Sequence, residues 1–412
     1  VRNLLKIAIR NLLRYKRRTL LTASLIAVGV VFVLVFISVS GSFKGMMIGQ
    51  ITDSMLGHLQ VHGKGYVASI ENLPLDLNLR PGAMARLEKV LEGEPEVEAY
   101  SPRIKFGGMF SNFVETTNIR LNGVYPEREL RTVPLLASRV VDGAKTIGRG
   151  EIWIPELLAR GMKVRIGDVV VVVATNRDGS VNGRQLTVSG ILVSATGPGG
   201  RDGYLHIDDA MEILRMEEIE ISEVAVRLKD FGKLHKVGGK LEGLISGEVD
   251  RQGRPVFELH TWEKLSPFYN IARMIDLMTF FIKLMLIAIV LISIMNVMIM
   301  AVYERIREIG TIAAIGTQPG KILWMFVLEG FCLGVAGALV GNIAGALVVF
   351  VLNASNITFD FGQQTGLVLQ AVIGPKDVAV ISATVIIVSA IASLQPAFKA
   401  SRMEPIKALR HV

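Results

Sequence analysis

The sequence predicts an α-helical membrane protein with four transmembrane helices and a large α+β extracytoplasmic domain inserted between helices 1 and 2. Three observations carry that prediction. The 412 residues are 50% hydrophobic and 20% charged, below the roughly 25% charged of a soluble chain. Four long apolar runs, at 20–43, 274–302, 322–352 and 378–394, are each of the length a bilayer core requires. Between the first two runs lies a stretch of about 230 residues with the texture of a water-soluble domain.

The distribution of charge sets the orientation. Residues 41–270 hold 28 of the 45 Lys and Arg and 30 of the 37 Asp and Glu, which leaves 17 basic against 7 acidic residues beside the apolar runs. A net charge of +8 placed in that way is the pattern of cytoplasmic flanks and not of a nucleic-acid-binding face. Seven basic residues precede the first run, Arg305, Arg307 and Lys321 lie between the second and third, and Lys399, Arg402, Lys407 and Arg410 follow the fourth. Both termini are therefore expected in the cytoplasm.

Taken in order, residues 1–18 predict an interfacial helix, because Arg2, Lys6, Arg10 and Arg14 recur every four positions opposite Leu5, Ile9, Leu12 and Leu13. A secretory signal is the competing reading, given the small residues Ser38, Val39 and Ser40, but the run is longer than such a segment needs. Residues 19–43 are a first spanning helix with stalk, 44–270 the α+β domain, and 271–302 a stalk with the second span. A loop at 303–320, a third span at 321–352, an outer loop at 353–376, a fourth span at 377–396 and a tail at 397–412 complete the chain. Pro375 and Pro396 are expected to bracket the last helix. Asp276 and Lys283 favour a stalk, since a charge is costly at the bilayer centre and tolerable at its edge.

Inside the soluble stretch, "HLQVHGKGY" and "DVVVVVAT" read as strands, "RDGS" and "VNGR" as turns, and "IDDAMEILRMEE" as a helix, a mixture that suits two subdomains. His58 and His62 have a spacing able to hold a metal, but no carboxylate or cysteine accompanies them, and we read an ordinary strand. No G-x-x-x-x-G-K-[ST] loop occurs, "KVGGK" lacking the first glycine, and no nucleophile motif is present. A lone cysteine, Cys332, excludes an intrachain disulfide. No catalytic centre, metal site or cofactor is expected in this chain.

Two features remain. Gly330, Gly334, Gly337, Gly341 and Gly345 recur at intervals of three and four in the third span and predict close helix packing. The loop "VYERIREIGTIAAIGTQPGK" carries both signs of charge, with Gly310 expected to break it before a short apolar helix at 311–315 and a second turn at 316–320. A mixed-charge knob suits protein docking better than lipid anchoring. Glu329 has Arg305 or Arg307 as candidate partners.

The stretch "NVMIMAVYERIREIGTIAAIGTQPGKILWMFVLEGFCLGVAGALVGNIAGA", with "AIRNLLRYKRRTLLTASLIAVGV" before it and "QPAFKASRMEPIKAL" after it, resembles permeases of the ABC transporters that include MacB, FtsX and the lipoprotein-releasing LolC/LolE proteins, the mechanotransmission type. The resemblance covers essentially the whole chain. It implies a bacterial inner-membrane location with 44–270 in the periplasm, and two permeases, identical or homologous, paired around two ATPase subunits that bind ATP and Mg. It also implies that Glu304, Arg305, Arg307, Glu308, Ile309, Gly310, Ala314 and Gly316 form the ATPase-coupling element. The ATPase is expected on a separate polypeptide, and this subunit is expected to be non-catalytic.

"VVVVATNRDGSVNGRQLTVSGILVSATGPGGRDGYLHIDDAMEIL" resembles the corresponding region of the lipoprotein-releasing permeases, where a hairpin recruits a soluble carrier in one of the two permeases. Here its tip, with Asn176, Arg177, Asp178 and Gly179, is short and polar. The implied function is ATP-driven extraction or export of lipoprotein or other amphiphilic cargo, with membrane lipid and a periplasmic carrier or adaptor as further partners. The alternatives are an FtsX-like regulator of a cell-wall hydrolase and an exporter of amphiphilic small molecules or peptides.

Overall fold

A computed structural model describes residues 2–194, 201–249, 252–361 and 364–404. Lys407 and Arg410 of the basic tail lie outside the described residues. In chain order the helices are α1 (Arg2–Arg14), α2 (Lys16–Ile51), α3 (Pro81–Glu92), α4 (Pro126–Thr132), α5 (Glu156–Gly161), α6 (Ile207–Ile213), α7 (Leu234–Ile245), α8 (Trp262–Leu265), α9 (Tyr269–Glu304), α10 (Ile306–Ala314), α11 (Pro319–Ala354) and α12 (Pro375–Ser401). The strands are β1 (Leu59–Gly63), β2 (Val97–Ser111), β3 (Thr116–Val124), β4 (Val140–Gly143), β5 (Glu151–Pro155), β6 (Val169–Thr175), β7 (Val181–Leu192), β8 (Gly203–His206), β9 (Glu223–Leu228), β10 (Phe257–Thr261), β11 (Thr358–Phe361) and β12 (Gln364–Val368).

The chain divides into two compact units. One comprises Val1–Gly45, Arg273–Thr358 and Val368–Val412, and the other Met46–Ala272 and Phe359–Leu367. The first holds the apolar helices: α2 with the π turn that follows it, α9, α11 and α12 are all long and apolar enough to cross a membrane. Its core is aliphatic, with Ile26, Val30 and Leu34 of α2, Val290, Ile294 and Met298 of α9, Phe326 and Leu333 of α11, and Ile381 and Val385 of α12. Lys44 and Asp276 form an ion pair at 2.6 Å, which gives the charge on α9 a partner. The loop between α11 and α12 contains the two-stranded sheet β11–β12.

One expectation is corrected here. Pro396 does not end the last helix but lies buried inside α12, which continues to Ser401. A proline removes one N–H donor and disturbs the turn before it, and packing of neighbouring residues holds such a helix together. Ala392, Ser393, Ala397 and Ala400 around it are all buried small residues.

The second unit begins as two interleaved βαβ elements, β1–α3–β2 and β9–α7–β10. Each leaves a gap between its parallel strands that a strand of the other fills, giving the antiparallel order β10-β1-β9-β2. Leu59 and Val61 of β1 point into a core shared with Leu87 and Leu91 of α3 and Val237 and Leu241 of α7. Everything from β3 to β8 is inserted between β2 and β9. β2 is 15 residues long and serves both halves. Beyond it the sheet runs β3-β8-β5-β7, and β6 pairs with both β7 and β2, closing a six-stranded ring. Ile119, Leu121, Ile152, Val170, Val172, Leu186, Val188 and Leu205 are buried in its core.

The strand readings at "HLQVH" and "VVVVVAT", the "RDGS" turn and the helix at α6 are found as expected. "VNGR" is not a turn. Val181 to Arg184 open β7, where Gly183 pairs with Val173 and a Cβ on it would lie 3.0 Å from that side chain. Glycine serves there for close strand approach rather than for bending.

A charged network is buried where the two halves of this unit meet. Arg103 of β2 contacts Glu129 of α4 at 2.7 Å and Glu223 of β9 at 2.8 Å, and all three side chains are almost fully buried. Lys105 adds longer contacts to Glu223 at 3.6 Å and Asp202 at 3.7 Å. Burial alone would raise the Glu223 carboxyl, but Lys105, the nearby His62 and Arg103 outweigh it and hold that group well below the usual carboxylate range.

Candidate functional site

The loop between the second and third spans is a folded element. α9 ends at Glu304, Arg305 takes a non-helical conformation (φ −113°, ψ 18°), and α10 begins in a new direction with the Ile309 amide donating to the Arg305 carbonyl. The expected break at Gly310 is not found. Gly310 lies inside α10 on its buried face beside Ile309, and a single glycine weakens a helix by about 1 kcal/mol without ending it. The helix ends at Gly316, whose φ of +92° favours glycine. There the Gly316 amide donates to Ala313 and that of Thr317 to Ile312, so the last carbonyls are satisfied.

The eight residues assigned to coupling fall on two sides. Arg305, Ile309 and Gly310 are buried, Glu308 is half-buried, and Glu304, Arg307, Ala314 and Gly316 are exposed. Tyr303, Thr311 and Ile315 join the exposed side, Ile315 at 80% exposure. None of those three was singled out from the sequence. The signal available was the helical spacing of 307, 311 and 314–315, which the expected break at Gly310 concealed.

The covered side is held by ions. Arg305, 5% exposed, reaches Glu329 of α11 at 3.5 Å and Glu308 of α10 at 3.0 Å. Its guanidinium lies over the Phe326 ring, and the Asn11 amide of α1, assigned the orientation that turns its oxygen to the guanidinium, accepts from both terminal nitrogens at 3.2 and 3.0 Å. Two further pairs lie nearer solvent, Arg14 with Glu308 at 3.3 Å and Arg18 with Glu304 at 2.7 Å. Of the two candidate partners for Glu329, the structure selects Arg305.

The glycine seam of α11 serves two neighbours. A Cβ on Gly330 or Gly334 would lie 2.6 or 2.5 Å from Ser393 or Ser389 of α12. At Gly337, Gly341 and Gly345 it would lie 2.6, 2.6 and 2.7 Å from Ile26, Val30 and Leu34 of α2. The stripe therefore turns from one partner helix to the other along its length. Asn342 and Ser382 add a hydrogen bond of 2.7 Å between α11 and α12.

In the second unit the β6–β7 turn is tight. Asn176 is buried and its amide donates to the Ser180 carbonyl, Gly179 supplies a φ of +83°, Asp178 accepts from Ser180, and Arg177 pairs with Glu220 at 3.1 Å. Beside the turn end of this hairpin runs a groove of about 700 Å³ lined by Leu73, Phe106, Met109 and Val181 and by the charged Glu71 and Arg120. His58 accepts from the Leu228 amide and meets Asp53 at 3.3 Å, whereas His62 faces Glu223 at 3.8 Å. The two histidines serve separate contacts, and among the described residues no group of three metal-ligating side chains occurs.

Comparison with known proteins follows the same division. Residues 19–244 match the MacB-like periplasmic core domain and residues 280–405 the FtsX-like permease C-terminal region. The lipoprotein-releasing system transmembrane protein LolC of Neisseria meningitidis is 22% identical over 95% of this chain and 94% of its own length. LolC of Xylella fastidiosa is 23% identical over 71% of this chain and 72% of its own. The macrolide export ATP-binding/permease protein MacB of Nitrobacter winogradskyi is 29% identical over 46% of this chain and 27% of its own.

Proposed function

This chain belongs to the MacB-like periplasmic core family and is an FtsX-type permease of an ABC transporter; from that premise we propose that α10 receives the motion of an ABC ATPase and that the apolar helices pass it to a periplasmic domain which releases or expels lipid-anchored cargo. The observation that carries this reading is the two-sidedness of α10. Its back is fastened to α1 and α11 through Arg305, while its front presents Arg307, Thr311, Ala314 and, just past its end, Ile315 to solvent, with Tyr303 exposed near the end of α9. An exposed isoleucine beside an arginine and a threonine has the composition of an interface centre with a polar rim. The ordered turn at Gly316 keeps that face preformed, which lowers the entropy cost of docking.

A release mechanism without an aqueous pore fits the helices, whose packed faces are mainly apolar or glycine, with small polar groups such as Ser389, Ser393 and Asn342 engaged in packing or hydrogen bonding between helices. Lipid-anchored protein is the cargo class supported by relatives whose names specify lipoprotein release over nearly the whole chain. For a periplasmic carrier or adaptor, the β6–β7 hairpin and the mixed polar and apolar groove beside its turn form the docking surface. A second copy or a homologue completes the permease pair.

The test is co-purification of the complex from membranes with Ile315→Asp. The variant chain is expected to reach the membrane at parental levels and to lose its ATPase; undiminished capture of the ATPase contradicts the docking assignment. Photo-crosslinking from the groove then separates cargo classes, a trapped acylated protein supporting release and a trapped cell-wall hydrolase overturning it in favour of regulation.

A further inference from the structure

We infer that Arg305 and Glu329 are positioning residues, a buried joint that makes α10, α11 and α1 move as one body, and that Arg305 does not touch the ATPase at all. This deepens the coupling reading above and rests on it for its purpose, although the joint is a property of this chain alone.

Arg305 stands at the only residue between α9 and α10, where the backbone leaves the helical conformation and the chain is most free to hinge. A docking arginine would point outward from such a corner. This one points inward, 5% exposed, towards a glutamate that is 1% exposed. Both are ionisable side chains buried in a region otherwise built of Val302, Ile309, Ile322, Met325 and Phe326. Burying a pair of charges is a poor way to gain stability, since aliphatic side chains of similar volume do at least as well. What the pair supplies is direction. A guanidinium has five donors in a rigid planar fork, and here the fork spans three elements: Asn11 of α1, Glu308 of α10 and Glu329 of α11.

The two outer pairs cannot replace it. Arg18–Glu304 joins α2 to α9 and leaves α10 out; in the other pair Arg14 is 67% exposed and Glu308 41% exposed, and an ion pair so open to water contributes little and yields to salt. Ile309, with Ile312 and Ala313 half-buried beside it, packs α10 against the same core through non-directional contact. The Arg305 fork adds directional contacts to two neighbouring helices at once. Without it, a push on Ile315 would turn α10 about the Arg305 corner instead of displacing α11.

The experiment uses the full chain in lipid nanodiscs, with Cys332→Ser and spin labels on Thr311→Cys and Trp324→Cys, both of them exposed positions. The inter-label distance is read by pulsed electron resonance. The parent is expected to show one narrow distribution, unchanged by addition of the ATPase and a non-hydrolysable ATP analogue. Glu329→Gln, which keeps the shape and removes the charge, is expected to widen it about two-fold. The double variant Arg305→Gln/Glu329→Gln leaves no orphaned charge, so it is expected to recover the parent's thermal stability while keeping the wide distribution. It also stands in for the single variant if that one fails to accumulate. A narrow distribution in either variant overturns the joint, and so does a parental distribution that widens with nucleotide. Failure of the unlabelled parent to bind any ATPase would sink the coupling reading and leave the width measurement on the chain alone still decisive for the joint.

Discussion

The helical unit and the soluble unit both bury charge, but they use it differently. In the helical unit a single Arg305–Glu329 pair sits beside a seam in which five glycines bring backbones together. In the soluble unit Arg103, Lys105, Glu129, Asp202 and Glu223 form a connected cluster between an interleaved βαβ sheet and a closed ring of strands. The difference follows from solvent. Between helices in lipid no hydrophobic gain is available, so cohesion depends on close contact over small residues. In water, apolar burial supplies the cohesion of each half, and the ion cluster fixes how β2, β9 and α4 meet.

This contrast predicts a ranking of effects. Arg103→Gln removes one cation from two buried carboxylates and is expected to cost the soluble unit about 3–5 kcal/mol, read as a lower unfolding midpoint in denaturant. Gly341→Leu drives a side chain into Val30, where even a Cβ would lie 2.6 Å away, and is expected to cost about 1–3 kcal/mol. Its readout is a lower melting temperature in detergent with the soluble unit's strand signal unchanged. If Gly341→Leu destabilised the soluble unit as much as the helices, the assignment of cohesion to separate sources would fail.

The third effect is a pH dependence. The Glu223 carboxyl is held below its ordinary value in the folded chain. Its contribution to stability is therefore present in full above the unfolded carboxylate pKa of about 4.3 and is lost as pH falls through the folded value. The soluble unit is expected to lose stability on acidification below about pH 4.3, with a shallower slope in Glu223→Gln, measured by melting at several pH values. An equal slope in parent and variant would remove Glu223 from the account. The smallest effect belongs to Arg18→Ala, which breaks a solvent-facing pair with Glu304 and is expected to change stability by less than about 1 kcal/mol.

Legibility in the sequence divides along the same line. Apolar length, basic flanks and glycine spacing are local patterns, and they located the four long helices and the packing stripe. The twofold use of that stripe, with Gly330 and Gly334 on α12 and Gly337, Gly341 and Gly345 on α2, depends on where the other helices lie. The soluble unit's closure was not legible, because β6 meets β2 across more than 60 positions and neither strand's pattern names its partner. Arg103 and Glu223, 120 positions apart, were ordinary charges in the sequence. Two local signals mislead: Pro396 reads as a helix end and Gly310 as a break, whereas buried small residues surround Pro396 within α12 and a single glycine beside the buried Ile309 costs α10 too little to end it.

The account depends on α10 facing the cytoplasm, where an ATPase can meet it. The direct measurement is labelling of Thr311→Cys, in a Cys332→Ser background, with a membrane-impermeant maleimide in intact cells and again after permeabilisation. The expected result is no labelling in intact cells, strong labelling after permeabilisation, and protection when the ATPase is overproduced. Labelling in intact cells would place α10 on the outer face and contradict the account.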